Sequence, residues 1–312
     1  MRSVSTDTAE RVAEDLRRFS RFTDDAHGRV EEQRFLDTPN GKLLVTVVRP
    51  VEPRSQVGFL LCHSFAWEQF ELFALELRFA RSAAAAGFTA VCFQARGYGD
   101  SGGTFAEVTP TEQVTDAVEV GRALLGEDGI EHLVPVGARL GAFVALSAAH
   151  ELSAPGAALW NPSLNPVRYL DGLLKAFVRT NVMSAPADEG TRIDTDGLRE
   201  RLLAGGDVDL FGYPLTSRCY LDAQRLPDAV DLPDPFPHRI HLVVINPRVR
   251  REVEKARLAL EGRGVELTLT EVDGPGHREF GLGVPVGGHL ATHARMFDDV
   301  GGATLDWFRG WS

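Results

Sequence analysis

Short apolar segments alternate with longer segments of helical spacing along most of this sequence. Apolar runs such as VGFLLC, TAVCF and LVPV are each followed by a longer stretch in which apolar residues recur at helical intervals. Short buried strands that alternate with helices form a parallel sheet covered by helices on both faces. The sequence therefore predicts an α/β fold with a mostly parallel, doubly wound sheet.

The alternation is interrupted between residues 162 and 234. This stretch contains RYLDGLLKAFVRTNVM, a polar segment, a second short helical segment and LFGYPLT, and the alternation resumes with RIHLVVI. We interpret residues 162–234 as a helical cap inserted into a core formed by residues 31–161 and 235–312. Residues 1–30 then form a helical arm ahead of the core.

The N-terminal arm has an apolar helical face. Residues 8–22, TAERVAEDLRRFSRF, place Val12, Leu16 and Phe19 on one side of a helix. This pattern predicts a surface helix that either packs on the core or docks a partner protein or a second copy of the chain. The segments EEQRFLDTP and GKLLVTVVRP that follow alternate as strands around Gly41, which predicts a hairpin.

Composition limits the classes of function. The 33 basic and 44 acidic residues give a net charge of -11, which disfavours nucleic-acid binding because phosphate contacts require a basic face. Cys62, Cys92 and Cys219 form neither a disulfide framework nor a CxxC metal site. The histidines show no HxH or HExxH spacing, and we expect neither a metal nor another cofactor. Neither an apolar signal segment nor a membrane-spanning run is present. These features predict a cytoplasmic protein.

Six loops follow the predicted parallel strands, and ligands bind in such sheets beyond the carboxyl ends of the strands. The loops contain CHSFAWE, QARGYGDSGG, GARLGA, WNPS, INPRVR and DGPGHREF. In the third loop, Gly137 and Gly141 flank Arg139. Two glycines at this spacing, after an apolar strand and before a helix, predict a sharp reversal in which the main chain approaches itself closely.

These motifs resemble the α/β-hydrolase family, and the resemblance extends from about residue 30 to residue 312. HSFA resembles the HGFA-type oxyanion loop, RGYGDSGG resembles the RGHGDSGG turn, and GPGHREF resembles the loop that carries the histidine. Within the family, FAWE, RLGA, LWNP and GYPLT are most similar to the exosortase-associated and serine-aminopeptidase-like hydrolases. The resemblance implies an α/β-hydrolase fold, and in the exosortase-associated branch an arginine at the elbow.

The departures from the family pattern bear directly on the chemistry. Arg139 stands where the family has its nucleophilic serine, and Ser64 stands where it has a glycine. Asn246 is followed by proline and arginine where the family usually has an aspartate. Of the implied triad, only His277 carries over. Because a guanidinium does not lose its proton near neutral pH, an acyl-enzyme at position 139 is excluded.

Arg139 is expected in the first turn of a helix, where the backbone already presents partial positive charge. A cation there requires an anionic partner, which is either an acidic side chain or a bound carboxylate or phosphate. Arg139 is therefore either a clamp for an anionic ligand or a plug paired with a neighbouring acid. Glu68 is the candidate for that pairing, or for acid–base or orienting work; the alternative is a solvent-exposed glutamate at a helix start.

Several other residues are candidates for the same site. His277 is the expected general base because its ordinary pKa lies near neutrality. The backbone N–H groups of Phe65 and Leu140 are, by the resemblance, the oxyanion donors. Asn161 and Asn246 are expected to line the site.

Three further side chains carry alternatives. Ser64 is expected to line the site, and Ser64 or Cys62 is a candidate for a displaced nucleophile. Cys62, however, ends an apolar strand, where buried cysteine is common. Asp100 is expected to stabilise its turn, and a catalytic role is the alternative.

Three functions are consistent with these residues. The first is an enzyme without a covalent intermediate, in which His277 acts as base while Arg139 and backbone donors hold an anionic group of a small acyl or natural-product-like substrate. Hydrolysis and lyase, cyclase or isomerase steps in biosynthesis all fit. The second is a hydrolase homologue that has lost its chemistry and binds a ligand or scaffolds a partner. The third is a hydrolase with a displaced nucleophile.

Overall fold

The computed structural model describes residues 20–52, 55–184, 194–245, 250–272 and 290–311. The strands are β1 (Arg21–Asp24), β2 (Arg29–Thr38), β3 (Gly41–Pro50), β4 (Val57–Cys62), β5 (Ala90–Phe93), β6 (His132–Ala138), β7 (Gly156–Trp160), β8 (Val208–Leu210), β9 (Tyr213–Leu215), β10 (Arg239–Val244) and β11 (Glu266–Glu271). The helices are α1 (Trp67–Ala85), α2 (Pro110–Leu124), α3 (Gly141–Glu151), α4 (Pro166–Ser184), α5 (Thr195–Leu203), α6 (Ser217–Arg225), α7 (Arg250–Glu261) and α8 (Leu290–Arg309).

Nine of these strands form one sheet in the order β1-β2-β3-β5-β4-β6-β7-β10-β11. The six strands from β5 to β11 in this order are parallel, and β1, β2 and β3 form an antiparallel edge. The inner strands β4, β5, β6 and β7 are buried along almost their whole length, as expected for parallel strands covered on both faces. The prediction of a mostly parallel, doubly wound sheet is confirmed.

Two apolar cores lie on the two faces of this sheet. Leu60 and Leu159 face a core that includes residues of α2, α3 and the inserted segment. Phe59 and Trp160, their neighbours in sequence, face a core that includes residues of α1 and α8. Adjacent residues of a strand point to opposite faces, so each inner strand contributes to both cores.

The predicted hairpin around Gly41 is confirmed, because β2 and β3 pair antiparallel with Thr38 opposite Gly41. The predicted helix over residues 8–22 lies mostly outside the described residues. Its end is corrected, because Arg21 and Phe22 belong to β1, where Phe22 pairs with Glu31. Cross-strand pairing therefore overrides the helical spacing at the end of this segment.

Local side-chain and backbone conformations fix the ends of two helices. The Thr109 side chain accepts a hydrogen bond from the backbone N–H of Glu112 (3.2 Å) and caps α2. Gly87 follows α1 with a φ of 95°, a left-handed conformation that glycine adopts without steric cost.

The inserted segment contains α4, α5, α6 and the separate β8–β9 hairpin, none of which joins the nine-stranded sheet. The LFGYPLT stretch that we included in a helical cap is therefore a hairpin with Phe211 and Gly212 in its turn. Both turn residues have positive φ, 56° and 90°. The division into arm, core and cap stays a prediction.

His241 in β10 makes stability depend on pH. Its ring stacks on Trp307, and its Nε2 lies 2.9 Å from Thr270 Oγ1. Burial lowers the pKa of His241 to about 4. In the unfolded chain this pKa is about 6.5, so over the interval between the two values the unfolded state binds a proton that the folded state does not. We expect His241 to lower the free energy of unfolding by about 3 kcal/mol as the pH falls through that interval.

The His241→Phe variant keeps an aromatic ring beside Trp307 and removes the titration. Urea unfolding at a series of pH values measures the contribution as the difference in pH dependence between the two proteins. Equal dependence in both would show that His241 titrates alike in the folded and unfolded states.

Candidate active site

The turn between β6 and α3 is a strand–turn–helix elbow held by two glycines. A Cβ on Gly137 would lie 2.0 Å from the carbonyl oxygen of Gly141. A Cβ on Gly141 would lie 2.3 Å from the carbonyl oxygen of Cys62. Both obstacles are main-chain atoms, so the predicted close approach is present and only glycine fits. It also brings the start of α3 against the loop that follows β4.

Arg139 lies in this turn with a φ of 57°. It precedes α3, which begins at Gly141, so the expectation that it lies in the first helical turn is corrected by two residues. Its backbone N–H donates to the Trp160 carbonyl (3.1 Å), and its carbonyl accepts from the N–H of Ser163 (3.0 Å). A left-handed conformation at a non-glycine residue costs about 1–3 kcal/mol, and these bonds to the loop after β7 hold it there.

Glu68 is the acidic partner of Arg139. Arg139 Nε donates to Glu68 Oε1 at 3.3 Å. The Glu68 side chain is 2% exposed and that of Arg139 is 15% exposed, so solvent reaches part of the cation but hardly the carboxylate. The alternative of a solvent-exposed Glu68 is wrong, because the first turn of α1 packs its side chain inward. The acid that the elbow cation requires is thus supplied by the protein.

Two hydroxyl groups complete the environment of Glu68. Ser64 Oγ and the Tyr169 hydroxyl each donate to Glu68 Oε2 at 2.8 Å, and the two hydroxyl oxygens are 3.3 Å apart. The Arg139 guanidinium carbon lies 5.6 Å from the centre of the Tyr169 ring. Burial raises the pKa of Tyr169 well above its ordinary value, and the Glu68 carboxylate raises it further. Tyr169 is therefore a protonated donor, and Glu68 accepts from three side chains.

Tyr169 was not a candidate in the sequence analysis. It lies in α4, within the inserted segment, and 101 positions separate it from Glu68. No motif connects the two residues. A tyrosine at the start of an apolar helical segment after the WNPS loop was the only available signal.

The loop after β4 is fixed by buried polar side chains. Gln113 Nε2 donates to the Ser64 carbonyl (3.2 Å), and the backbone N–H of Ala66 donates to the Tyr98 hydroxyl oxygen (2.8 Å). His63 Nδ1 and Glu76 Oε2 are 2.6 Å apart in a fully buried pair, with the carboxylate out of line with the ring N–H. These contacts tie the loop to α1, α2 and the loop after β5.

Phe65 and Leu140 are both fully buried at the elbow. Among the described residues, no acceptor takes a hydrogen bond from the backbone N–H of either one. Two amides of this kind, one from each of two adjoining loops, form the usual oxyanion arrangement in enzymes of this architecture. Their use in binding stays a prediction.

Asn161 lies at the end of β7 and is fully buried. Its Oδ1 accepts from the backbone N–H of Ile245 (2.9 Å), and its own N–H donates to the Val243 carbonyl (2.8 Å). The side chain thus joins the ends of β7 and β10. Its predicted role in lining the site stays a prediction.

Comparison with known proteins identifies the fold. The sequence matches no protein-family model and no curated protein. Among solved structures, it is similar to Est1E from Butyrivibrio proteoclasticus with ferulic acid bound, with 17% identity, a TM-score of 0.58, and coverage of 88% of this chain and 99% of that chain. The Pyrococcus furiosus esterase PF2001 gives 13% identity, a TM-score of 0.58, and coverage of 93% and 94%. This chain has the α/β-hydrolase fold.

A third structure agrees with this assignment. Mouse alpha/beta hydrolase domain-containing protein 10 is 16% identical with a TM-score of 0.55, and the match covers 90% of this chain and all of that chain (100%). At these identities the likeness shows the fold alone. The α/β-hydrolase fold nevertheless accounts for the elbow, because its parallel strands deliver their loops to one edge of the sheet.

Other predicted residues of this α/β-hydrolase fold have different outcomes. His277 and Asn246 lie outside the described residues. Burial, with a contribution from the Glu76 carboxylate, raises the pKa of Cys62 well above its ordinary value, so Cys62 is a thiol and a poor nucleophile. Asp100 is exposed in its turn, where its backbone N–H donates to Gln94 Oε1 (2.7 Å).

The described residues show neither a metal site nor a membrane-spanning helix. No group of three or more histidine, cysteine and acidic side chains there is arranged to hold a metal ion. No helix within the described ranges is both long enough and apolar enough to cross a membrane.

Proposed function

We propose that this protein is an α/β-hydrolase-fold enzyme in which Arg139 occupies the position of the nucleophilic serine and no covalent intermediate forms. Its substrate is a small acyl compound or a carboxylate-bearing natural product. The observation that carries the proposal is the Arg139–Glu68 pair at a strained elbow, with a φ of 57° at Arg139 and a buried carboxylate on its Nε. Strain of this kind is concentrated at functional sites.

The ion pair supports a positioned cation. Glu68 is held by Ser64 and Tyr169, so its carboxylate is fixed before it contacts Arg139. A guanidinium has five donors in a rigid plane, and an acid on its Nε edge fixes the orientation of that plane. The Arg139 side chain is partly exposed. Binding of an anionic oxygen of a substrate therefore fits this side chain better than a purely structural role does.

The remaining roles follow from the resemblance. His277 takes a proton from water or from the substrate, and the backbone N–H groups of Phe65 and Leu140 hold the oxygen on which negative charge develops. Ser64 is a positioning group, since its hydroxyl is buried and donates to Glu68. The ferulic acid in the Est1E structure, an aromatic compound with a carboxyl group, belongs to the substrate class proposed for this chain.

Phosphonate labelling tests the absence of a covalent nucleophile. We expect the wild-type protein to remain unlabelled by a fluorophosphonate probe, because position 139 has no hydroxyl group and Ser64 is buried. The Arg139→Ser/Glu68→Gln variant, which restores an elbow serine without leaving a buried carboxylate uncompensated, is expected to be labelled with His277 as its base. Intact-protein mass spectrometry measures one added phosphonyl group per chain.

The control is Arg139→Ala/Glu68→Gln, which should remain unlabelled. Labelling of the wild type that disappears in Ser64→Ala would mean that the nucleophile has moved to Ser64. An unlabelled Arg139→Ser/Glu68→Gln variant that is folded would refute His277 as the base.

A second candidate function is favoured by the same ion pair: a homologue that binds a ligand or a partner without catalysis. A panel of thioesters and esters separates the two functions. Loss of a group that stabilises developing charge typically costs about a hundredfold in turnover, so the enzyme proposal predicts losses of this order in His277→Ala and Arg139→Ala. Turnover that is identical in both variants and the wild type would favour the non-catalytic function.

A further inference from the structure

A cleft of about 380 Å³ lies between α2 and α3. Its volume is at the small end of the range for ligand pockets. Its apolar lining comes from Val114 and Val118 of α2, Phe143 of α3, and Leu226 and Leu232 of the segment that leads back to the sheet. None of the residues of the elbow network lines it, so it is separate from the candidate active site.

The polar groups of this cleft are mostly acceptors. Glu119 and Glu151 contribute carboxylates, and His150 and Ser147 lie on the same face of α3. His150 Nδ1 lies 2.7 Å from the Pro235 carbonyl oxygen. A carbonyl only accepts hydrogen bonds, so Nδ1 carries the hydrogen, and Nε2 of the neutral ring is also an acceptor.

Two of these polar groups lack a hydrogen-bond partner among the described residues. Glu119 Oε2 and Ser147 Oγ are buried atoms without one, although Glu119 Oε1 accepts from Asn40 Nδ2 (3.3 Å). Ser147 is only 6% exposed. A buried polar atom without a partner costs free energy. A ligand that donates hydrogen bonds to these atoms would remove that cost. A small rotation of the Glu119 side chain would bring its carboxylate to such a ligand.

The charged side chains of the lining also favour a cationic ligand, because carboxylates outnumber arginine and lysine side chains there. Among the described lining residues, Arg122 is the one arginine or lysine, and its nearest contact with Glu151 is a loose 3.7 Å. Among the described residues Glu119 makes no direct ion pair, because Arg96, which attracts it at longer range, is bonded to Asp116 and Glu112. The chain as a whole has a net charge of -11. An anionic ligand would be repelled, and a cationic one would give the Glu119 carboxylate the direct ion pair that it lacks.

We infer that this cleft is a binding site for a small apolar primary amine. The ammonium group donates to the carboxylate of Glu119 and to the acceptors Ser147 and His150, while the hydrocarbon part packs against the apolar lining. This inference does not depend on the proposed function at the elbow.

Three molecules of similar shape test the inference: 2-phenylethylamine, 2-phenylethanol and 3-phenylpropanoate. Isothermal titration of the full chain at neutral pH should give saturable, one-to-one binding of the amine. Hydrogen bonds to charged groups typically contribute enough for about a tenfold difference in affinity. The alcohol should therefore bind about tenfold more weakly, and the carboxylate should not bind.

The Glu119→Gln variant keeps the shape of the side chain and its bond to Asn40. It should weaken binding of the amine about tenfold and leave that of the alcohol unchanged. Glu200→Gln, which removes one exposed carboxylate from α5, is the control for non-specific attraction and should bind the amine as the wild type does. Val114→Phe should fill the cleft and abolish binding, with its unfolding midpoint measured alongside.

Several results would overturn the inference. Absence of amine binding, equal affinities for all three molecules, amine affinity in Glu119→Gln equal to that of the wild type, or equal weakening in Glu200→Gln would each do so. Binding that persists in a folded Val114→Phe protein would place the amine elsewhere.

Discussion

Gly141→Ala is expected to reduce the free energy of unfolding by about 3 kcal/mol or more. The new Cβ would meet the Cys62 carbonyl oxygen at 2.3 Å and the carbonyl carbon and oxygen of His63 at 2.9 Å. None of these main-chain atoms can rotate aside, so either the loop after β4 or the start of α3 must shift. Urea unfolding measures the loss.

Gly172→Ala is the matched control for this substitution. Gly172 lies inside α4, and a Cβ there would meet no atom within 4 Å. Because alanine loses less backbone entropy than glycine in a helix, this variant should gain about 0.5–1 kcal/mol. If Gly141→Ala were as stable as the wild type, the close approach at the elbow would not exist.

Glu68→Ala is expected to cost about 3–5 kcal/mol. The substitution leaves the Arg139 cation without its acid and removes the acceptor of Ser64 and Tyr169 (2.8 Å each). Arg139→Ala should also be strongly destabilising, since it leaves a carboxylate buried without a counter-charge. Urea midpoints of the two variants measure both losses.

The double variant Glu68→Ala/Arg139→Ala separates the ion pair from its surroundings. We expect it to lose about 1–3 kcal/mol less than the sum of the two single variants, because contacting residues couple by this amount. Tyr169→Phe, which removes one hydrogen bond to the carboxylate, should cost about 1.5–3 kcal/mol. Additive losses in the double variant would mean that Glu68 and Arg139 do not interact in solution.

The sheet was predictable because its signal is local and repeated. Each inner strand is a short apolar run, and each helix has its own apolar spacing. These local patterns alone predict that the strand ends meet at one edge of the sheet, and no long-range contact has to be known. The hairpin within LFGYPLT was not predictable in this way. Its strands are three residues long, and Phe211 in its turn contacts the rings of Trp67 and Phe177. Long-range packing stabilises that turn.

The parts of the site that could be predicted are those that depend on a single loop or turn of the sequence. Gly137 and Gly141 indicated the reversal at the elbow, and the charge of Arg139 required an acid, which made Glu68 the candidate. Tyr169 was missed because an inserted helix brings it to Glu68. We expected Arg139 in the first turn of α3, but the helix begins two residues later, at Gly141. The left-handed conformation of Arg139 causes this difference, and the helical spacing of the sequence gives no sign of it.

We propose that the Arg139 guanidinium, held by Glu68, binds an anionic group at the elbow. The most direct test is an NMR titration of the Nε–H resonance of Arg139, assigned by its absence in Arg139→Lys, with hexanoate and with hexanol as the uncharged control. We expect a saturable shift with hexanoate and none with hexanol. An Nε–H resonance that hexanoate leaves unchanged at saturating concentration would mean that Arg139 only fills the site.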